Sequence, residues 1–393
     1  MPMPWMIEGD DETVALQQKL ARVQGLLEAS RQVHSTIKLD EVLALTLEIA
    51  AKELEAEGVF FSPAGAGLGA RMDRQYGRLP EDWTRWAEQA AAPAYASAAL
   101  PGERGETMAH LVVYRAEPLS FEELDFMEGL ALQAALAIGN ALNHERMIEW
   151  ERVRADLDAA RAIQRSLLPQ SVPDVAGYSL DLRSTMCYEV GGDYVDVMPL
   201  SDGRIMMVLA DVAGKGVASA MISMTFRSSF RAMSGAGLTL AEIARRMNTL
   251  HWQEGVEARR RYVTAILCCL DPGTHRLEMV NAGHNPAFLR SVTGDARLIG
   301  ASGPPLGLLP GRTYETEPIA FQEGDQMLLY TDGLTEVFQG DEEFGEERLL
   351  GLIGPRPSAQ LLDGIWSALS AFSGNARQTD DMTALYLYRG GAR

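Results

Sequence analysis

The run Glu189-Val-Gly-Gly-Asp-Tyr-Val-Asp-Val197, followed by Ser201-Asp-Gly203 and then Arg204 to Gly216, decides the fold. Ser-Asp-Gly between two alternating apolar runs is a three-residue hairpin loop, with glycine where a left-handed backbone is wanted. If residue 202 is the centre, Asp193 and Asp211 pair across the hairpin, with Cβ atoms about 5 Å apart. Period-two alternation puts Val195, Val197, Ile205, Met207 and Leu209 on the same face, so the two aspartates cap an apolar column. A register shifted by one residue would instead send one of them to solvent. Two carboxylates this close and partly shielded from water repel each other, and a divalent cation between them is the economical remedy.

Further acids stand at strand ends. Gln326 to Thr331 reads as a strand ending in Asp332-Gly333, and Asp380-Asp381 precedes the strand Met382 to Tyr388. Antiparallel pairing would bring the end of one beside the start of the other. Carboxylates gathered at one end of a sandwich form a hard all-oxygen site, suited to magnesium or manganese and unsuited to zinc.

The chain has 393 residues, enough for two globular units and a connector. A formal charge of −19 disfavours nucleic acid and anionic membranes as partners. No apolar run is long enough to span a bilayer, and the start lacks a basic patch followed by an apolar stretch. Cys187, Cys268 and Cys269 do not form a disulfide framework, so the expected compartment is the cytoplasm.

Residues 1–20 read as a flexible leader. Leu20, Val23 and Leu27, then Leu43, Leu47, Ala50 and Leu54, follow helical spacing. Strand-like pieces follow at Gly58 to Phe61 and His110 to Tyr114. Trp83 and Trp86 between them read as one helical face in a core. From Glu122 to Leu168 there is no proline, and Leu130, Ala134, Ala137, Ile138, Ala141 and Leu142 recur at three and four residues. This stripe reads as a helix forming a two-helix seam, the alternative being a helix packed on its own domain. Beyond Pro173, strands and hairpins are interrupted by helices at about Val217 to Met233, after the capping box Thr239 to Glu242, and at about Ser358 to Phe372. Leu240, Ile243, Met247 and Leu250 share one face of the second. The fold class is therefore α+β.

No Gly-x-Ser-x-Gly elbow, P-loop or zinc-spaced His and Cys cluster occurs. His284 reads as a turn residue and the twin cysteines as core. Taken together, Ala162-Ile-Gln-Arg-Ser-Leu-Leu-Pro169, Val190-Gly-Gly-Asp-Tyr194, Asp211-Val-Ala-Gly-Lys-Gly216, Asn281-Ala-Gly-His-Asn-Pro286, Gly303-Pro-Pro-Leu-Gly307, Tyr330-Thr-Asp-Gly-Leu-Thr-Glu336 and Thr379-Asp-Asp-Met-Thr383 resemble the PPM (protein phosphatase 2C-like) serine/threonine phosphatases, in their bacterial stage-II-sporulation and RsbU-like branch.

The resemblance implies an α-β-β-α sandwich over residues 173–393, with a two-ion Mn2+ or Mg2+ centre. Asp211 would bridge the ions, the Val212 carbonyl would assist, and Asp193, Asp332 and Asp380 would complete the shell. A metal-activated water would then attack phosphorus in line. Whether Asp380 or Asp381 is the ligand stays open, as does whether Lys215 contacts phosphate or only solvent. The implied substrate is phosphoserine or phosphothreonine on a STAS-domain anti-anti-sigma factor. Residues 21–145 resemble a GAF sensory domain, residues 146–172 a coiled-coil-like helical linker, and the pair implies a homodimer through both. Two rivals are a diguanylate cyclase, from Gly191-Gly-Asp193, and an inactive phosphatase-like binding switch.

Overall fold

The computed structural model describes residues 8–64, 69–89, 95–374, 376 and 378–390. The chain divides into two compact units, Met1–Val153 and Arg154–Arg393.

The first unit contains helices α1 (Glu8–Val33) and α2 (Leu39–Glu53), strand β1 (Gly58–Pro63), a single turn α3 (Gly69–Met72), strands β2 (Gln75–Gly77), β3 (Tyr95–Pro101) and β4 (Thr107–Tyr114), and the first part of α4 (Phe121–Leu167). The strands form an antiparallel sheet in the order β2-β1-β4-β3. Val59 and Phe61 of β1 and Leu111 and Val113 of β4 project from one face into a core shared with Leu43, Leu47 and Leu54. Residues 1–7 lie outside the described residues, and α1 reaches back to Glu8, inside the span the sequence assigns to a leader.

Several expectations change here. Leu20, Val23 and Leu27 are exposed, and α1 buries Ala29 and Val33 instead. β2 and β3 escape the sequence reading because one is three exposed residues and the other is alanine-rich; pairing with β1 and β4 imposes the strand on them. Trp83 and Trp86 lie on a 3-10 helix and are half-buried, Trp83 packing edge-on against Phe60 at 4.6 Å between ring centroids.

The helix α4 begins at a reciprocal capping box: the Glu123 N–H donates to the Ser120 hydroxyl at 3.2 Å, and the Ser120 N–H to the Glu123 carboxylate at 2.7 Å. It stops just before Leu168-Pro169, since proline disfavours helical geometry at the preceding residue. Leu130, Ala134, Ala137, Ile138 and Ala141 pack into their own unit's core. The two-helix seam expected of that stripe is thus replaced by intramolecular packing, because one face of the sheet needs the same apolar residues.

The second unit holds two five-stranded antiparallel sheets between helix pairs. Its strands are β5 (Tyr178–Thr185), β6 (Tyr194–Pro199), β7 (Ile205–Val212), β8 (Val263–Asp271), β9 (Arg276–Ala282), β10 (Ala287–Arg290), β11 (Ala296–Ile299), β12 (Glu317–Ala320), β13 (Gln326–Tyr330), the short ribbon β14 (Phe338–Gln339) and β15 (Glu342–Glu343), and β16 (Met382–Arg389). The sheets run β12-β9-β8-β7-β6 and β11-β10-β13-β16-β5. Helices α5 (Val217–Ser234) and α6 (Leu240–Gln253) cover the first; beyond the turn α7 (Val256–Arg259), helices α8 (Gly345–Gly351) and α9 (Leu361–Ser373) cover the second.

A strand buried on both faces reads as a continuous apolar run. In β7, Ile205, Met207 and Leu209 enter the core between the sheets, while Met206, Val208 and Ala210 meet Phe226, Phe230 and Ile243. The neighbours Cys268 and Cys269 point to these two different cores, and all three cysteines are free. Thr239 caps α6, accepting from the Glu242 N–H at 3.3 Å, but the helix buries Ala244 and His251 and leaves Leu250 exposed.

Candidate active site

The β6–β7 hairpin pairs Tyr194 with Ala210 and Pro199 with Ile205, the register centred on residue 202. The loop closes through Leu200 and Arg204, with Gly203 at φ +86°. Asp193 therefore stands one step before Tyr194 and Asp211 one step after Ala210, opposite each other at the same open end of the ladder and both on the side of the inter-sheet core. In the other sheet, Tyr330 of β13 pairs with Ala384 of β16, so Asp332, just after one strand, lies near Asp380 and Asp381, just before the other.

Contacts join the two sheets at this end. Thr331 Oγ1 donates to Asp193 Oδ2 at 2.9 Å, and the Thr383 N–H donates back to Thr331 Oγ1 at 3.0 Å. Buried Asp381 accepts backbone N–H groups with both oxygens: Cys187 on Oδ1 at 2.7 Å, and Gly192 on Oδ2 at 2.7 Å. A Cβ on Gly191 would meet that Oδ2 at 2.5 Å, and one on Gly333 would meet the Asp381 carbonyl at 2.0 Å. These close approaches explain the glycines of Gly-Gly-Asp and Asp-Gly.

Burial and mutual repulsion hold these acids above the usual carboxylate range. Asp193 is raised by desolvation, then by Asp211 and Asp381. Asp211 is pushed up to about 7 by desolvation, then by Asp332, Asp380 and Asp381. Asp332 is raised by desolvation and then Asp380; Asp381 is raised chiefly by desolvation, against the N–H groups it accepts. Like-charged, desolvated oxygen donors of this kind fit a hard divalent cation. Among the described residues no three His, Cys, Asp or Glu side chains are already arranged to hold one. The reason is visible locally: Asp381 is taken up by the backbone, and Asp380 Oδ2 lies 2.7 Å from Lys215 Nζ. The Val212 carbonyl, also expected here, lies close behind Gly192, 3.2 Å from where its Cβ would stand.

Sequence reading missed three supports. Gln164, near the end of α4, donates to the Gly191 carbonyl at 2.7 Å and accepts the Gly191 N–H at 3.1 Å. It is 3% exposed while its neighbour Ile163 is 63% exposed, an inversion of polarity that sequence periodicity does not register. Asp196, fully buried, receives the Arg231 guanidinium through two bonds of 2.6 and 3.0 Å and the Tyr194 hydroxyl, joining β6 to α5. His284 is a brace: its ring nitrogens meet Thr264 Oγ1 at 2.8 Å and the Tyr330 carbonyl at 3.2 Å. Burial lowers its pKa to about 4, so it stays neutral between the sheets.

Residues 201–390 match the family model of Stage II sporulation protein E. The match lies within the C-terminal unit, which is thus similar to SpoIIE-type PP2C phosphatase domains. Among curated proteins, the chain is 27% identical over 264 residues to protein IcfG of Synechocystis, covering 60% of this chain and 42% of that protein. It is 28% identical over 187 residues to the phosphoserine phosphatase RsbP of Bacillus subtilis, covering 47% of this chain and 46% of that one. The chain thus spans about half the length of these relatives. Among solved structures, the RsbU and RsbW domains of a Mycobacterium tuberculosis protein match at 26% identity and a TM-score of 0.50, over 58% of this chain and 64% of that one. The SiaA PP2C domain of Pseudomonas aeruginosa shares the fold at 18% identity and a TM-score of 0.53, over 61% and 98% of the two chains. The SpoIIE-type match begins after Asp193 and Gln164, which join the site through the contacts above.

Proposed function

We propose that the chain is a manganese- or magnesium-dependent protein serine/threonine phosphatase, acting on phosphoserine or phosphothreonine of a STAS-domain anti-anti-sigma factor. The observation that carries this is the set of desolvated, mutually repelling carboxylates at the joined ends of two sheets of a SpoIIE-type domain. Asp193, Asp211, Asp332 and Asp380, with the Val212 carbonyl, would hold two ions. Bound there, they would activate a water for in-line attack on phosphorus and offset the charge developing on it. Thr331 and Asp381 have different tasks: one orients the Asp193 carboxylate, the other fixes the Gly191–Asp193 backbone. The phosphoserine part of this reading is supported by the name of one relative, a phosphoserine phosphatase, while the STAS-domain partner is what the family resemblance implies. That partner is tested by phosphate release from phosphorylated STAS-domain proteins against unrelated phosphoproteins. Release from the STAS proteins is expected to be at least about tenfold faster, a difference in barrier near 1.4 kcal/mol. Equal rates would remove the partner from the proposal, and turnover of GTP to a cyclic dinucleotide would favour the cyclase.

Regulation by a GAF-like N-terminal unit belongs to the same proposal. The Gln164 amide ties the end of α4 to Gly191, two residues before Asp193, and Arg227 Nε binds the Leu167 carbonyl at 2.8 Å. A shift of the helix end would therefore be felt at a proposed ligand. Dimerisation would use the exposed side of α4, where Leu132, Leu136, Met147, Trp150 and Val153 lie open, Trp150 to 73%. No helix among the described residues is long and apolar enough to cross a membrane. Light scattering of the full chain at micromolar concentration should give a dimer, and residues 170–393 alone a monomer with altered basal activity. A monomeric full chain together with unchanged kinetics in the truncated one would contradict both dimer and control.

A further inference from the structure

Lys215 sits in the loop after Asp211, between Gly214 at φ +96° and Gly216 at φ +81°. Its ammonium donates to the Thr379 carbonyl at 2.5 Å and lies 2.7 Å from Asp380 Oδ2. Its side chain is 44% exposed and that of Asp380 32%, so the pair stands at the rim of the cluster, within reach of solvent ions. The positive charge acts beyond Asp380, since it opposes the upward shifts of Asp211, Asp332 and Glu336. Among the described residues, no other lysine or arginine forms an ion pair with Asp193, Asp211, Asp332, Asp380 or Asp381.

A carboxylate and a main-chain carbonyl are also the ligands a hard divalent cation prefers. The ammonium and a metal ion therefore seek the same oxygen of Asp380. An ion pair this exposed is weak, so a divalent ion can displace it. We propose that Lys215 is a tethered counter-ion of the carboxylate cluster, seated on Asp380 without a divalent cation, displaced when one binds, and thereby setting the metal affinity of the site. This rests on the metal-dependent reading above. It differs from a phosphate contact by Lys215, which would alter substrate affinity and leave metal affinity alone.

Calorimetric titration of the full chain with manganese chloride separates these outcomes, using wild type, Lys215→Gln and Lys215→Arg. Removing a positive charge a few ångströms from a bound dication should tighten binding roughly three- to tenfold in Lys215→Gln. Lys215→Arg, which keeps the charge, should stay near wild type. The melting temperature of metal-free Lys215→Gln should fall, and its rise on adding manganese should be larger. If Lys215→Gln does not fold, Lys215→Met takes its place under the same criterion. Manganese affinity unchanged or weakened in the neutral variant overturns the inference while leaving the metal-dependent reading intact. Absence of manganese binding in both wild type and neutral variant defeats that reading, and the inference with it.

Discussion

Asp211→Asn is expected to lower phosphatase turnover by on the order of a thousandfold or more, the loss of several kcal/mol of charge stabilisation at the reacting group. The same substitution should stabilise the metal-free protein. The Asp211 carboxyl is held near pH 7 in the fold, against an ordinary value of 3.8 in the unfolded chain. Between these values the folded protein binds the proton more tightly than the unfolded chain does. The penalty for ionising Asp211 is thus absent below about pH 4, grows as pH rises, and is complete above about pH 7. Because Asp211 is partly open to water and shares its repulsion with three other acids, the gain on removing its charge is about 1–3 kcal/mol rather than the full shift. Thermal melts of metal-free protein at about pH 5 and about pH 8 should show stability declining toward the higher pH, with a flatter profile in Asp211→Asn. A variant with wild-type turnover would show that Asp211 does not hold the ions, and one that melts below wild type at the higher pH would show that burial and repulsion do not penalise the ionised Asp211.

The second large effect separates Asp380 from Asp381, which adjacency in sequence leaves equivalent. Asp381→Asn puts an amide nitrogen against backbone donors now met by carboxylate oxygens. Losing one or two charge-assisted bonds at a buried site costs about 2–4 kcal/mol. A fall in melting temperature and a loosened Gly191–Asp193 loop follow. Asp380→Asn breaks a rim ion pair, and its amide oxygen can still accept the Asp381 N–H that Asp380 Oδ1 accepts at 2.8 Å, so it should fold like wild type and lose manganese affinity and turnover. If Asp381→Asn keeps wild-type stability and loses metal, the two aspartates have exchanged tasks relative to this proposal.

What the sequence revealed, and what it hid, follows from which forces act locally. The hairpin register was legible because Gly203 fixes the turn and the alternation of Val195, Val197, Met207 and Leu209 fixes the face. The meeting of Asp332 with Asp380 and Asp381 was legible from strand ends, since antiparallel pairing leaves little choice. Hidden features depend on partners distant in sequence. β3 is a strand because β4 lies beside it, and the α4 stripe serves its own unit because a sheet face needed covering. Gln164 faces inward only because an unpaired Gly191 peptide awaits it. Asp380 and Asp381 differ by their hydrogen bonds, which are tertiary.

The most direct test of metal-dependent phosphatase chemistry is phosphate release by the full chain from a phosphoserine STAS-domain protein, followed with manganese and with excess chelator. Expected is turnover with manganese, its loss on chelation, and its return when manganese is restored. Turnover that persists at an unchanged rate in rigorously metal-free protein would contradict the proposed function.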